Sequence, residues 1–470
     1  MTTALTPLGH ARATLVLGLP LIGSHLAQAA LHVTDTVMLG WYGVTELAAV
    51  VLGATLFFSF FILGSGFAQA VMPMVAAALG SGDETQVRRD TRMGIWLSIA
   101  YGVAIYPVFW WSEPLLHALG QAPDVVPLGR DYMRIAGLGM APALVVMALK
   151  SYLAALGRTQ VVLWVTLVAV VLNAGLNWSL IFGNLGAPEL GVKGAAIATV
   201  ATQGMTLVVI GVYAGWLPSL RRFRLWQRFW RPDTQALARV FRLGLPIGLT
   251  GVAESCLFQA ATLMMGWIGT RELAAHGIAM EAASMAFMVH LGLSNAVTIR
   301  VGRADGAGDA AGVRLAAGVA IAMSFVFGVA IVILFLTLPT AIVGLFVDLS
   351  KPEGAAILAL GVTLLALAAL FQLGDAMQVM ALGLLRGLRD TQLPMVLAVV
   401  SYWGVGIPAS YILAFGLGHG PVGVWLGLVV GLAFAASSML VRFWWIAPGR
   451  TRMGLQGETR RLSGTAPGRQ

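Results

Sequence analysis

Residues 36–49 read TVMLGWYGVTELAA, and 226 positions later residues 262–275 read TLMMGWIGTRELAA. Thr36, Met38, Gly40, Trp41, Gly43 and Glu46 meet Thr262, Met264, Gly266, Trp267, Gly269 and Glu272 in register. Upstream, the same offset aligns Gly18-Leu19-Pro20 with Gly244-Leu245-Pro246. Downstream it aligns Gly80, Gly82, Asp83, Val87 and Arg88 with Gly306, Gly308, Asp309, Val313 and Arg314. Later in the chain the offset becomes 232, where Leu156, Thr159, Gln160, Gly191 and Val192 meet Leu388, Thr391, Gln392, Gly423 and Val424. Biased composition matches Gly, Ala and Leu readily, but it does not bring Trp, Glu, Asp and Arg into register. The chain is an internal duplication.

Each copy consists of membrane-spanning segments. Of 470 residues, 58% are hydrophobic and 10% charged, whereas a soluble domain carries about 25% charged residues. Twelve apolar runs lie between residues 13 and 446. Several exceed the roughly 20 residues a crossing needs, which predicts tilted or kinked helices. Pro20, Pro73, Pro142, Pro246 and Pro408 mark the predicted bends, which neighbouring helices can satisfy. This pattern excludes a soluble enzyme, a disordered chain and an outer-membrane barrel, whose strands would alternate polar and apolar residues. The first run is too long for a removable signal peptide. Cys256 is the single cysteine, so an intrachain disulfide and a cysteine-based metal site are both excluded. The predicted fold class is an all-α polytopic membrane protein, with twelve transmembrane helices in two pseudo-symmetric six-helix bundles around a central cleft.

Charge sets the topology. Of 29 basic residues, 24 fall on the side holding both termini and the linker with Arg221, Arg222, Arg224, Arg228 and Arg231; the opposite side has Arg130, Arg134, Lys193, Arg271 and Lys351. Positive charge is retained in the cytoplasm, so both termini are predicted to be cytoplasmic. The net charge of +9 is therefore a topology signal; no nucleic-acid-binding motif accompanies it. The predicted organisation is a cytoplasmic N-terminus at 1–12, bundles at 13–216 and 243–446, a basic linker at 217–242, and a disordered tail at 447–470.

An even number of crossings per half gives both copies the same orientation, as in parallel-repeat transporters that rock two lobes about a shared site. At this point the chain resembles a known family. Leu19-Pro20, Thr34-Asp35-Thr36-Val37-Met38-Leu39-Gly40, Leu245-Pro246 with Glu254, and Gly374-Asp375 are similar to motifs of the multidrug and toxic compound extrusion (MATE) transporters, NorM-like branch. The resemblance covers residues 10–446. It implies export of cationic, amphiphilic drugs from the bacterial inner membrane against sodium ions or protons, with no other cofactor. The protein is read as a transporter that functions as a monomer among membrane lipids, with no nucleic-acid partner and no enzymatic activity.

Four carboxylates fall inside apolar runs: Asp35, Glu254, Glu281 and Asp375. An ionised carboxylate at mid-helix costs roughly 2.5–3.5 kcal/mol to insert, so such groups face a cavity, a partner or a bound cation. With no Arg or Lys expected at matching depth, they suit proton or cation exchange. By the resemblance, Glu254 and Asp375 form the cation site, a possible sodium site, and Asp35 is the first-helix aspartate. Phe371, one turn before Asp375, either lines that site or packs. Asn173 and Asn177 share a helix face where other branches have an aspartate, which favours the NorM-like arrangement. Gln28, Gln69, Gln203, Thr34 and Thr202 are cavity candidates or interhelical glue. Glu281 is either a second cation ligand or a charge at the cavity rim. His25, His32, His276 and His290 are read as interhelical hydrogen-bond partners before proton relays.

The chain has no phosphate-binding Gly-rich loop ending in Lys and Ser or Thr, so an ion gradient, not ATP, is expected to drive it. The rival readings are a lipid-linked oligosaccharide flippase and a metabolite exporter of the same architecture. Both would favour basic groups in the cleft. An intramembrane enzyme would need a paired nucleophile and base.

Overall fold

The computed structural model describes residues 6–347 and 353–462, and side chains as far as residue 447. The twelve apolar runs form helices α1 (Pro7–Tyr42), α2 (Val44–Gly80), α3 (Glu84–Trp110), α4 (Val125–Ala155), α5 (Thr159–Phe182) and α6 (Val192–Trp216). They continue as α7 (Thr234–Ile268), α8 (Thr270–Gly306), α9 (Ala310–Thr337), α10 (Gly354–Gly387), α11 (Gln392–Gly416) and α12 (Gly420–Leu462). Among the described residues there is no strand. Lys351 and residues 463–470 of the expected tail lie outside the described residues.

The duplicated motifs are helix punctuation. Gly82 and Gly308 take φ of 76° and 73°, a left-handed conformation that glycine adopts without a Cβ penalty. Next to them, Asp83 caps α3 by accepting the Gln86 N–H at 2.9 Å, and Asp309 caps α9 by accepting that of Gly312 at 2.7 Å. Each cap satisfies a backbone donor that the first turn would leave open, worth about 1 kcal/mol.

The chain forms two compact units, and each draws on both sequence repeats. One comprises Pro20–Val75 and Asp83–Val252; the other comprises Met1–Leu19, Ala76–Gly82 and Ala253–Gln470. They are called here the Asp35 unit and the Glu254 unit. In the Asp35 unit, the opening turns of α7 lie against α2, where Gly66 meets the backbone of Gly244 and Gly248 with no side chain between. Ala70, Met74, Met93, Val240 and Ile247 fill the core around that crossing. The linker is pinned there: Asp233 caps α7 by accepting from Ala236 N at 3.0 Å and pairs with Arg89.

In the Glu254 unit, Arg300 of α8 holds the first turns of α1 by donating to Thr14 Oγ1 at 2.6 Å and to the His10 carbonyl. Gly423, Gly427 and Gly431 of α12, spaced four apart, let the backbone of α11 nest at Ala414, Ser410 and Gly406. Small residues permit this approach where lipid gives no hydrophobic drive to association. α11 carries π-helical stretches at Val400–Gly406 and Ile412–Gly416 on either side of Pro408. Such wide turns re-aim side chains, and Tyr402 lies on the first.

Candidate ion-coupling sites

Glu254 on α7 and Asp375 on α10 lie within electrostatic reach of one another. Asp375 is 2% exposed, and Glu254 Oε1 and Asp375 Oδ1 are both buried with no hydrogen-bond partner among the described residues. Gln372 and Gln378 flank Asp375 by one turn on α10, and both are fully buried. Gln378 Nε2 donates to the Tyr402 hydroxyl at 2.6 Å, and the same amide faces Glu254. The Gln378 carbonyl oxygen and both polar atoms of Gln372 have no partner among the described residues. Buried polar atoms in this state carry a desolvation cost that a bound species can relieve. Two carboxylates, amide oxygens and a phenol are hard oxygen donors, suited to a small hard cation or a proton.

The expectation of no basic group at this depth is corrected. Arg386 lies close enough to Glu254 and Tyr402 to interact electrostatically with both. It belongs to the last turn of α10, not to a loop, and helical side chains tilt toward the N-terminus, so it folds back into the unit. Lys150 does the same near the end of α4, donating to Thr166 Oγ1 at 2.9 Å; Thr166 in turn lies 3.0 Å from Ser24 Oγ.

The other predicted residues are distributed as follows. Phe371 is 2% exposed and packed edge-to-face on Phe258 and Trp425, with ring centroids 6.0 and 5.5 Å away. Glu281 is exposed on α8. In the Asp35 unit, Asn177 Nδ2 donates both to Asp35 Oδ1 and to Asn173 Oδ1, the latter at 3.1 Å. Asn173 and Thr199 face the same carboxylate, and Tyr132 is within its electrostatic reach. Asn173 and Asn177 are wholly buried. Gln28 is half-buried on α1, and Gln69 donates along α2 to Ser65 Oγ at 3.0 Å. Thr34 and Thr202 bond carbonyls of their own helices.

His276 Nε2 lies 3.3 Å from Thr262 Oγ1, and His290 Nδ1 lies 3.0 Å from Ser324 Oγ, so each makes an interhelical hydrogen bond. His32 is exposed beside Phe58. Among the described residues no group of three or more His, Cys, Asp or Glu is arranged to hold a metal. Sequence reasoning missed Tyr402, Gln372, Gln378 and Thr199. The one available signal was polarity inside apolar runs.

A family model described as MatE matches residues 20–179 and 246–412. The chain is 47% identical to a Rhizobium meliloti (strain 1021) protein named "Probable multidrug resistance protein NorM", across 92% of this chain and 93% of that one. A protein of the same name from Agrobacterium fabrum is 45% identical with the same coverage. Among solved structures, the fold resembles an outward-facing multidrug resistance MATE family transporter of the MOP superfamily. There the TM-score is 0.85 at 20% identity, over 94% of this chain and 96% of that one.

Proposed function

This chain belongs to the MatE family, and from that premise we propose that it is a secondary multidrug efflux transporter of the bacterial inner membrane. It exports cationic, amphiphilic compounds by alternating access, in exchange for sodium ions or protons. The names of the relatives support multidrug export. The observation that carries the coupling mechanism is the Glu254–Asp375 pair with its unpartnered buried oxygens. With both carboxylates ionised and Arg386 within electrostatic reach of Glu254, the cluster has one negative charge in excess. One sodium ion or one proton neutralises it and supplies the missing partner for the oxygens. A site that exchanges these species, and is emptied of them when a cationic substrate is taken up, couples the two movements.

A potential of about 100 mV provides roughly 2.3 kcal/mol per charge, enough for on the order of fiftyfold concentration. The arginine-rich linker supports cytoplasmic termini by the positive-inside rule. The relatives' names also support a carrier rather than an enzyme, and we read it as working as a monomer. The deciding experiment is efflux of a cationic dye from proteoliposomes, with a sodium gradient and a pH gradient imposed in separate runs. Uphill dye movement with either gradient is expected. Movement of a lipid-linked oligosaccharide and none of the dye would replace the antiporter with the flippase.

A further inference from the structure

A groove of about 610 Å³ opens on the Asp35 unit between α3, α4 and α6, lined by apolar side chains that include Ile99, Val145 and Leu207. Trp226 and Phe229 of the linker close one end of it. Trp226 lies along α6 where Gly211 and Gly215 leave room, and its indole N–H donates to the Gly211 carbonyl at 3.2 Å. Phe229 stacks on Trp96 at 6.2 Å, and Trp96 Nε1 donates to the Phe229 carbonyl at 2.9 Å. Beneath these rings the Arg92 guanidinium, on a side chain 8% exposed, donates to the carbonyls of Gln227, Arg228 and Arg231 at 3.2, 2.6 and 2.8 Å. A charged group buried to hold three loop carbonyls makes this a built element.

The pin turns the loop carbonyls inward and leaves basic side chains outside. Arg224 and Arg228 take φ of 46° and 55°, a left-handed conformation that strains a residue with a β-carbon. Arg224, Arg228 and Arg231 are exposed and have no side-chain partner among the described residues. Their neighbours are engaged: Arg222 pairs with Glu84 at 3.5 Å, and Arg221 donates to the Trp216 carbonyl at 3.1 Å.

We propose that this is a binding site for one anionic phospholipid, with an acyl chain in the groove and the phosphate on Arg224, Arg228 and Arg231. Charge complementarity selects the occupant. Basic residues clustered at a membrane surface favour anionic headgroups, and basic pockets beside transmembrane helices hold them. Tryptophan at the groove end suits the headgroup boundary, where an amphipathic ring has one apolar face and one polar edge. A lipid in the ordinary annulus would need neither the pinned loop nor the strained arginines. The site is independent of the carboxylate pair and of the proposed transport reaction.

The test is native mass spectrometry of the full chain, purified in detergent and offered equal amounts of dioleoyl phosphatidylglycerol and dioleoyl phosphatidylcholine. One phosphatidylglycerol should be retained in preference to phosphatidylcholine. Each of Arg224→Gln, Arg228→Gln and Arg231→Gln should weaken that preference about fivefold, and the triple variant should abolish it. Ile99→Trp enlarges a partly exposed side chain that lines the groove and should lower retention of phosphatidylglycerol with the arginines and the linker contacts intact. Thermal melting checks each variant; if the triple variant fails to fold, the single exposed Arg228→Gln carries the same comparison. Equal retention of both lipids by the parent protein would overturn the proposal, as would an undiminished preference in Arg228→Gln. Inorganic phosphate that competes as well as the intact lipid would overturn it too, because the groove would then contribute nothing.

Discussion

The two carboxylate sites occupy related scaffolds and are built in opposite ways. At the offset of 226, Gln28 is the counterpart of Glu254, and Asp35 is the counterpart of Ala261. The acidic position has thus moved two turns along the helix between the copies, while Gly-Leu-Pro and the capping aspartates have stayed. Asp35 itself has a donor in Asn177 and polar neighbours in Asn173 and Thr199, although Asn173 Nδ2 and Asn177 Oδ1 are buried without a partner among the described residues. Glu254 and Asp375 instead face each other with an oxygen apiece unpartnered. Duplication preserved the positions that set helix crossings and helix ends, and the polar chemistry diverged between them. A satisfied carboxylate can remain charged without a ligand. An unsatisfied pair is more favourable when an ion or proton joins it, so the Glu254 unit should carry more of the coupling.

The largest effect should come from removing charge at that pair. Glu254→Gln and Asp375→Asn keep volume and relieve the insertion cost, so both variants should express and insert normally yet lose gradient-driven efflux. The double variant should be no worse than either single one, because groups acting as a unit are non-additive. Normal efflux in the double variant of reconstituted protein would falsify the coupling role.

Asp35→Asn should be milder. The amide still accepts from Asn177 but loses the charge, so efflux in the same vesicles should fall without vanishing. If Asp35→Asn stops transport as completely as Asp375→Asn, the contrast between the sites fails. Tyr402→Phe sharpens it from the other side. It removes the phenol to which the buried Gln378 amide donates and leaves Glu254 as the group that amide still faces, and an unsatisfied buried donor costs about 1–3 kcal/mol. A lower melting temperature is expected, together with reduced efflux; an unchanged melting temperature would show that Glu254 alone satisfies the amide.

The spans, the duplication and the acidic residues Asp35, Glu254 and Asp375 were legible in the sequence for one physical reason: charge is costly in hydrocarbon, so its placement is informative. Asp83 and Asp309 stood out because a cap recurs beside a left-handed glycine. Tyr402, Gln372 and Gln378 were not legible, since single tyrosines and glutamines in apolar runs make no periodic pattern and depend on partners from other helices. Arg386 and Lys150 escaped notice because the sequence places them at run ends, where only the backward tilt of a helical side chain brings them inside. The division of α1 and α7 between units depends on long-range crossings such as Gly66 with Gly248, which hydropathy does not encode.

The smallest effect concerns the linker, where a satisfied carboxylate can be titrated outside the membrane. Asp233 pairs with Arg89 and caps α7, and the hydrogen bond from Arg89 is the main reason its carboxyl is held down at about 2. An unfolded aspartate titrates at about 3.9. Because the folded value is the lower one, the stabilisation is fully present above the unfolded value and is lost as pH falls toward 2. The pair is partly exposed, so its worth is about 1 kcal/mol or less. Asp233→Asn should therefore melt slightly below the parent protein at pH 7 in detergent. As the buffer is taken from pH 5 to pH 2, the two melting temperatures should converge. A gap that stays constant across that range would mean that the charge on Asp233 is not what separates the two proteins.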